Sequence, residues 1–102
     1  MMIENYLLEE LVAFAKYKTI SATAEYLSIT QPAVTRGMQK LEELLNVKLF
    51  NRTRNRITLT KTGELAAKEA EKILEMQQEF IEYVQNFNKT HYQIKIYSTS
   101  PG

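Results

Sequence analysis

Three arginines at alternate positions, Arg52, Arg54 and Arg56, stand in a stretch with no acidic side chain. Residues 46–62 add Lys48 and Lys61, five cations in all, whereas residues 1–45 and 63–102 each carry four basic and six acidic side chains. The formal net charge of +1 therefore conceals a basic band between two acidic segments. Charge gathered in this way makes a local anion-binding surface, where solubility alone asks only for charges spread about the molecule. A merely solvated basic loop is the alternative.

Other chemistries find little material. The absence of cysteine excludes disulfides, thiolate zinc sites and a cysteine nucleophile, and fits a cytoplasmic chain. His91 is the sole histidine. No serine or carboxylate is arranged with it, so a surface or hinge role is expected rather than catalysis. The six tyrosines are scattered and read as packing residues. No metal-ligand spacing and no Gly-rich phosphate loop appears, so no catalytic residue, metal ligand or cofactor is assigned within the chain. The first ten residues lack the basic start of a signal peptide. No apolar run approaches the roughly 20 residues of a membrane span.

The elements that must present the basic band follow from periodicity. Leu7, Leu8, Leu11, Val12 and Ala15 recur at helical spacing and predict a first helix over about Asn5–Lys18, with Asn5 as its N-cap. After a break at Thr19-Ile20, Ser21 is expected to cap a short second helix that turns Ala24 and Leu27 inward. Ser28-Ile29-Thr30 predicts a tight turn with Ile29 as its buried plug. Thr30 then caps a third helix, with Pro32 in its first turn, where a missing N–H costs nothing. Val34, Met38, Leu41 and Leu45 form the inner stripe of that helix. Gln31, Thr35, Arg36, Gln39, Lys40 and Glu43 occupy its opposite face, and Asn46 suits a left-handed cap.

Two strands are expected next, one anchored by Val47, Leu49 and Phe50, the other Ile57-Thr58-Leu59. Asn51–Arg56 would be the polar tip between them. A long helix from about Lys61 to Asn88, capped by Thr60 or Thr62, carries Ala66, Ala70, Ile73, Gln77, Phe80, Val84 and Phe87 in steps of four and three, a heptad seam. Ala67, Leu74 and Ile81 widen that face, and a second copy of the chain is the expected cover. An antiparallel pair would set its small residues opposite its large ones. Tyr92–Tyr97 alternates like a strand, and a lone strand has no sheet to join, so a further C-terminal domain is expected.

Taken in order, Ser21-Ala-Thr-Ala-Glu-Tyr-Leu-Ser-Ile-Thr-Gln-Pro-Ala-Val-Thr-Arg36, Leu41-Glu-Glu-Leu-Leu-Asn-Val-Lys-Leu-Phe50, Arg52-Thr53 and Leu59-Thr60-x-Thr62-Gly63 resemble the signature of LysR-type transcriptional regulators. Any one piece is weak; their sequence in order is specific. The resemblance covers nearly the whole chain, with the long helix matching the family's linker helix. It departs at Ile20, Thr23, Asn46 and Gly37, the last inside the third helix, where glycine costs up to about 1 kcal/mol against alanine.

The resemblance implies a mainly α fold: a winged helix-turn-helix of three helices and a two-stranded wing over residues 1–60, a dimerisation helix over 61–89, and the start of an effector-binding domain over 90–102. It further implies a bacterial, sequence-specific DNA binder that meets an inverted-repeat site as a homodimer, or as a tetramer when full length. Its small-molecule inducer would bind the effector domain. Gln31, Pro32, Thr35, Arg36 and Gln39 would read base edges, since Gln suits adenine, Arg suits guanine, and Thr or Pro meets a thymine methyl. Arg54 would enter the minor groove, Arg56 would contact phosphate, and Arg52 would brace the wing or meet a phosphate. Ser21 and Thr30 would offer phosphate contacts at helix starts, or serve only as caps. A helical protein-interaction module, with the winged motif making protein contacts, is the competing reading.

Overall fold

The computed structural model describes residues 1–93 and contains α1 (Asn5–Tyr17), α2 (Ile20–Leu27), α3 (Gln31–Leu45), β1 (Phe50–Thr53), β2 (Arg56–Leu59) and α4 (Lys61–Asn88). A π-helical turn, Lys89–Gln93, continues α4. The expected strand at 92–97 begins in that turn at Tyr92 and Gln93, and its remainder lies outside the described residues. The architecture is mainly α: a three-helix body with a two-stranded antiparallel wing, followed by a long helix. No helix among the described residues is long and apolar enough to cross a membrane.

The core is where the helical stripes meet. Leu7, Leu11 and Phe14 of α1, Ala24 of α2, and Val34, Met38 and Leu41 of α3 are buried together with Leu49 and Phe50. Phe14 and Phe50 meet edge to face, with ring centroids 5.6 Å apart, the arrangement that places one ring's positive edge on the other's negative face. Alanine at position 24 lets α2 approach its neighbours closely, as expected.

Two caps fall one or two residues from their expected places. Glu4, not Asn5, precedes α1, and the Asn5 side chain instead exchanges hydrogen bonds with the Gln77 amide on α4. Thr19 caps α2 in place of Ser21: its Oγ1 accepts from the Ala22 N–H at 3.0 Å. Thr30 caps α3 by accepting from the Ala33 N–H at 3.2 Å, and Pro32 lies in the first turn. Three helices end on left-handed residues that are not glycine: Lys18 (φ 73°), Ser28 (φ 58°) and Asn46 (φ 54°). Ile29 is 37% exposed rather than a plug. Hydrogen bonds from the Ser28 and Ile29 N–H groups to the Glu25 and Ala24 carbonyls hold that turn, so no buried side chain is needed there.

Beyond Asn46 the chain turns so that Leu49 and Phe50 point inward, while Val47 stays outside. The wing pairs Phe50 with Leu59, Asn51 with Thr58, Arg52 with Ile57 and Thr53 with Arg56. Its tip is therefore Arg54-Asn55 alone, shorter than the expected Asn51–Arg56. Thr60 joins the wing to α4. Its Oγ1 donates to the Lys48 carbonyl at 2.8 Å and accepts from the Gly63 N–H at 2.9 Å, while its own N–H donates to the Leu49 carbonyl. A β-carbon at position 63 would overlap the Leu49 carbonyl, so glycine is what lets α4 start this close to the strand.

The first turns of α4 pack against α1 through Ala67 and Ala70, and the helix then projects beyond the body. At 1.5 Å per residue α4 is roughly 40 Å long, and the molecule measures 69 × 25 × 20 Å.

Candidate nucleic-acid interface

Burial divides α3 cleanly. Val34, Gly37, Met38 and Leu41 face the core, and Gln31, Pro32, Arg36 and Gln39 are exposed, with Thr35 half-buried. The Thr35 hydroxyl donates to the Gln31 carbonyl at 3.2 Å, which uses its proton and leaves the oxygen able to accept. Lys40 on the same helix is held aside by Glu4 at 3.0 Å, and that contact raises its pKa.

Gln31, Pro32, Thr35 and Arg36 line one shallow concavity together with Ile20. Ile20 also borders a second groove, whose walls carry Lys18 and Thr19 on one side and Arg52, Arg54 and Arg56 on the other. The concavity of α3 and the groove of the basic wing thus adjoin, with Ile20 lining both. Among the described residues, Arg36, Arg54 and Arg56 have no carboxylate partner.

Arg52 is different. Its guanidinium lies 3.4 Å from Glu42 Oε1 and beside the Phe50 ring. The other oxygen of Glu42 accepts the backbone N–H groups of Leu49 (2.9 Å) and Phe50 (3.1 Å). One carboxylate on α3 therefore fixes both the entry to β1 and the first wing arginine. Of the two roles left open for Arg52, the geometry favours the brace. Glu42 itself was not among the expected site residues, although its place in the Leu41-Glu42 pair was a visible signal. Lys18 and Thr19 were likewise not anticipated on this surface, because their approach to the wing is tertiary.

Ser21 is exposed within the first turn of α2, and Thr30 is exposed at the start of α3. Behind the surface, Glu10 of α1 is buried against Gly37 of α3. A β-carbon at 37 would overlap Glu10 Oε1, so the glycine makes room for a carboxyl group. That oxygen has no hydrogen-bond partner among the described residues. Burial raises the Glu10 pKa to about 7, because desolvation penalises the charged form.

The expected seam on α4 divides in two. Ala66 is half-buried, and Ala70 is only 2% exposed, because α1 of the same chain occupies that end. Gln77 is engaged by Asn5. Ile73, Phe80, Val84 and Phe87 are exposed, Phe80 by 69%, and the His91 ring stacks on Phe87 at 4.0 Å.

Comparison with known proteins agrees with this geometry. The HTH-type transcriptional regulator YbhD of Escherichia coli (strain K12) is 38% identical over 80 residues, which cover 78% of this chain and 25% of that protein. The chain spans about a quarter of the length of the curated relatives it matches. Among solved structures, the CbnR DNA-binding domain in complex with DNA matches with a TM-score of 0.79 and 32% identity, covering 82% of this chain and 97% of that one. The BenM DNA-binding domain with benA site 1 DNA matches at 0.82 and 26% identity, covering 87% and 100%. Residues 6–64 match the model of the bacterial regulatory helix-turn-helix proteins of the lysR family. With body, wing and exposed α3 face all in place, the chain belongs to the lysR family of bacterial regulatory helix-turn-helix proteins.

Proposed function

We propose that this chain binds double-stranded DNA in a sequence-specific manner and sets the position of a LysR-type transcriptional regulator on its operator. The observation that carries this reading is that the exposed polar face of α3 adjoins, at Ile20, a wing groove lined by arginines and by no acid. In a helix-turn-helix the second helix enters the major groove with its N-terminal residues at base edges. On that docking Gln31, Pro32, Thr35 and Arg36 would meet bases, with Gln39 further along. Arg54, at the tip of the wing, reaches the minor groove, where negative potential concentrates. Arg56, Ser21 and Thr30 would meet phosphates.

Two copies, joined through the projecting part of α4, would present two such surfaces to an inverted repeat with half-sites roughly 34 Å or a multiple of it apart. The exposed Ile73, Phe80, Val84 and Phe87 support this assembly. In the whole protein a small-molecule inducer acting on an effector domain would govern the response, in the cytoplasm.

Selection of bound duplexes from a random-sequence pool tests the reading. A recovered motif with two-fold symmetry is the expected result. A pool that shows no enrichment after repeated rounds would refute it.

A further inference from the structure

The groove between the wing and the α1–α2 junction, about 510 Å³ in volume, holds four cations and no acid among its lining residues. Three of them belong to the wing. The fourth, Lys18, belongs to the end of α1 and approaches only because the chain reverses there. Lys18 has φ 73°, a conformation that favours glycine and costs energy for any residue with a β-carbon. Its N–H closes α1 on the Phe14 carbonyl at 2.8 Å, a backbone function that glycine would serve with less strain. The ammonium pairs with no carboxylate among the described residues. Packing and capping therefore leave the side chain itself without a task. Beside it, the Thr19 hydroxyl caps α2 as an acceptor, and its proton has no acceptor among the described residues.

We propose that Lys18 is a DNA-phosphate ligand, which closes a clamp on one sugar-phosphate strand whose other jaw is Arg54 and Arg56. This inference rests on the DNA-binding reading and adds a jaw outside both the recognition helix and the wing. Lysine suits the task as a compact cation on a flexible stem, positioning the strand without reading sequence. The left-handed turn lies at the edge of the groove that Lys18 and the wing arginines line together.

The test uses the whole chain and a fluorescein-labelled duplex recovered from the random pool, with affinity measured from low to high salt. Lys18→Gly keeps the left-handed turn and is expected to melt no lower than the wild type. Each phosphate contact contributes about 0.9 to the slope of log affinity against log salt. Lys18→Gly should therefore flatten that slope by about 0.9 per bound chain and weaken selected and scrambled duplexes by the same factor. Lys18→Asn, which also tolerates a positive φ, should do the same. Lys16→Gln, a nearby lysine that lies over the Tyr17 ring and does not line the groove, should leave the slope unchanged. An unaltered slope in both Lys18 variants, with wild-type binding intact, overturns the clamp and spares the DNA-binding reading. A wild-type chain that binds no duplex overturns both.

Discussion

Glu10 and Gly37 show how a single residue choice on α3 depends on another element. By helix propensity alone Gly37 is a defect, and only the buried carboxyl facing it supplies the reason. The raised pKa has a definite sign in stability. Between the ordinary carboxyl value of 4.5 and about 7 the unfolded chain has released this proton and the folded chain retains it. Stability from this group is therefore complete at acid pH and declines as pH rises through that window, by on the order of 3 kcal/mol. Urea denaturation at pH 5 and pH 8 should show Glu10→Gln flattening that decline; equal pH dependence in the two proteins would contradict it. On the outer face, Gln31→Ala and Thr35→Ala should each cost about 1–3 kcal/mol of discrimination between selected and base-substituted duplexes. Fluorescence anisotropy titrations check this, and unchanged ratios would remove both residues from base readout.

Among the elements, what was legible in sequence was what is local. The stripes of α1 and α3, the Thr30 cap with Pro32 behind it, the left-handed Asn46 and the extent of α4 all follow from spacing within one segment. Thr19 displaced Ser21 as a cap by two residues; both are good capping types, and residue type alone does not choose between them. Ile29 was misplaced for a related reason: backbone hydrogen bonds can hold a turn without a buried side chain. The junctions were harder to read because they join different elements: Glu42 stood in a visible motif but its bonds to Leu49 and Phe50 cross from α3 to β1, and Lys18 meets the wing only in the folded chain. Gly63 is the sharpest case, read first as part of a motif and explained only by the Leu49 carbonyl. Gly63→Ala should destabilise the fold by about 1–3 kcal/mol despite alanine's better helix propensity, since backbone must shift to admit the methyl. A denaturation midpoint at or above the wild type's would contradict that account.

At the scale of the molecule, α4 does two jobs that its heptad pattern ran together. Its small residues, Ala67 and Ala70, allow α1 of the same chain to approach, and its large ones, Phe80 and Phe87, stand out in solvent. A continuous apolar seam in the sequence is therefore an internal contact at one end and an unpartnered face at the other. The size gradient from alanine to phenylalanine marks the changeover. Phe80→Asp should give monomers in light scattering without lowering the helix content of the body, because Phe80 is exposed and lies outside the buried core. A variant that remains dimeric would require a different interface.

On the proposed reading the α3 face and the adjoining basic wing grip one duplex together. Its most direct test is the salt dependence of binding of the unmodified chain to a duplex that the chain itself has selected. With Arg54, Arg56 and Lys18 on phosphates or in the minor groove, affinity should fall steeply, with a logarithmic slope of about −3 or steeper per bound chain. A slope near zero, as expected of a surface that meets a protein partner instead, would contradict it.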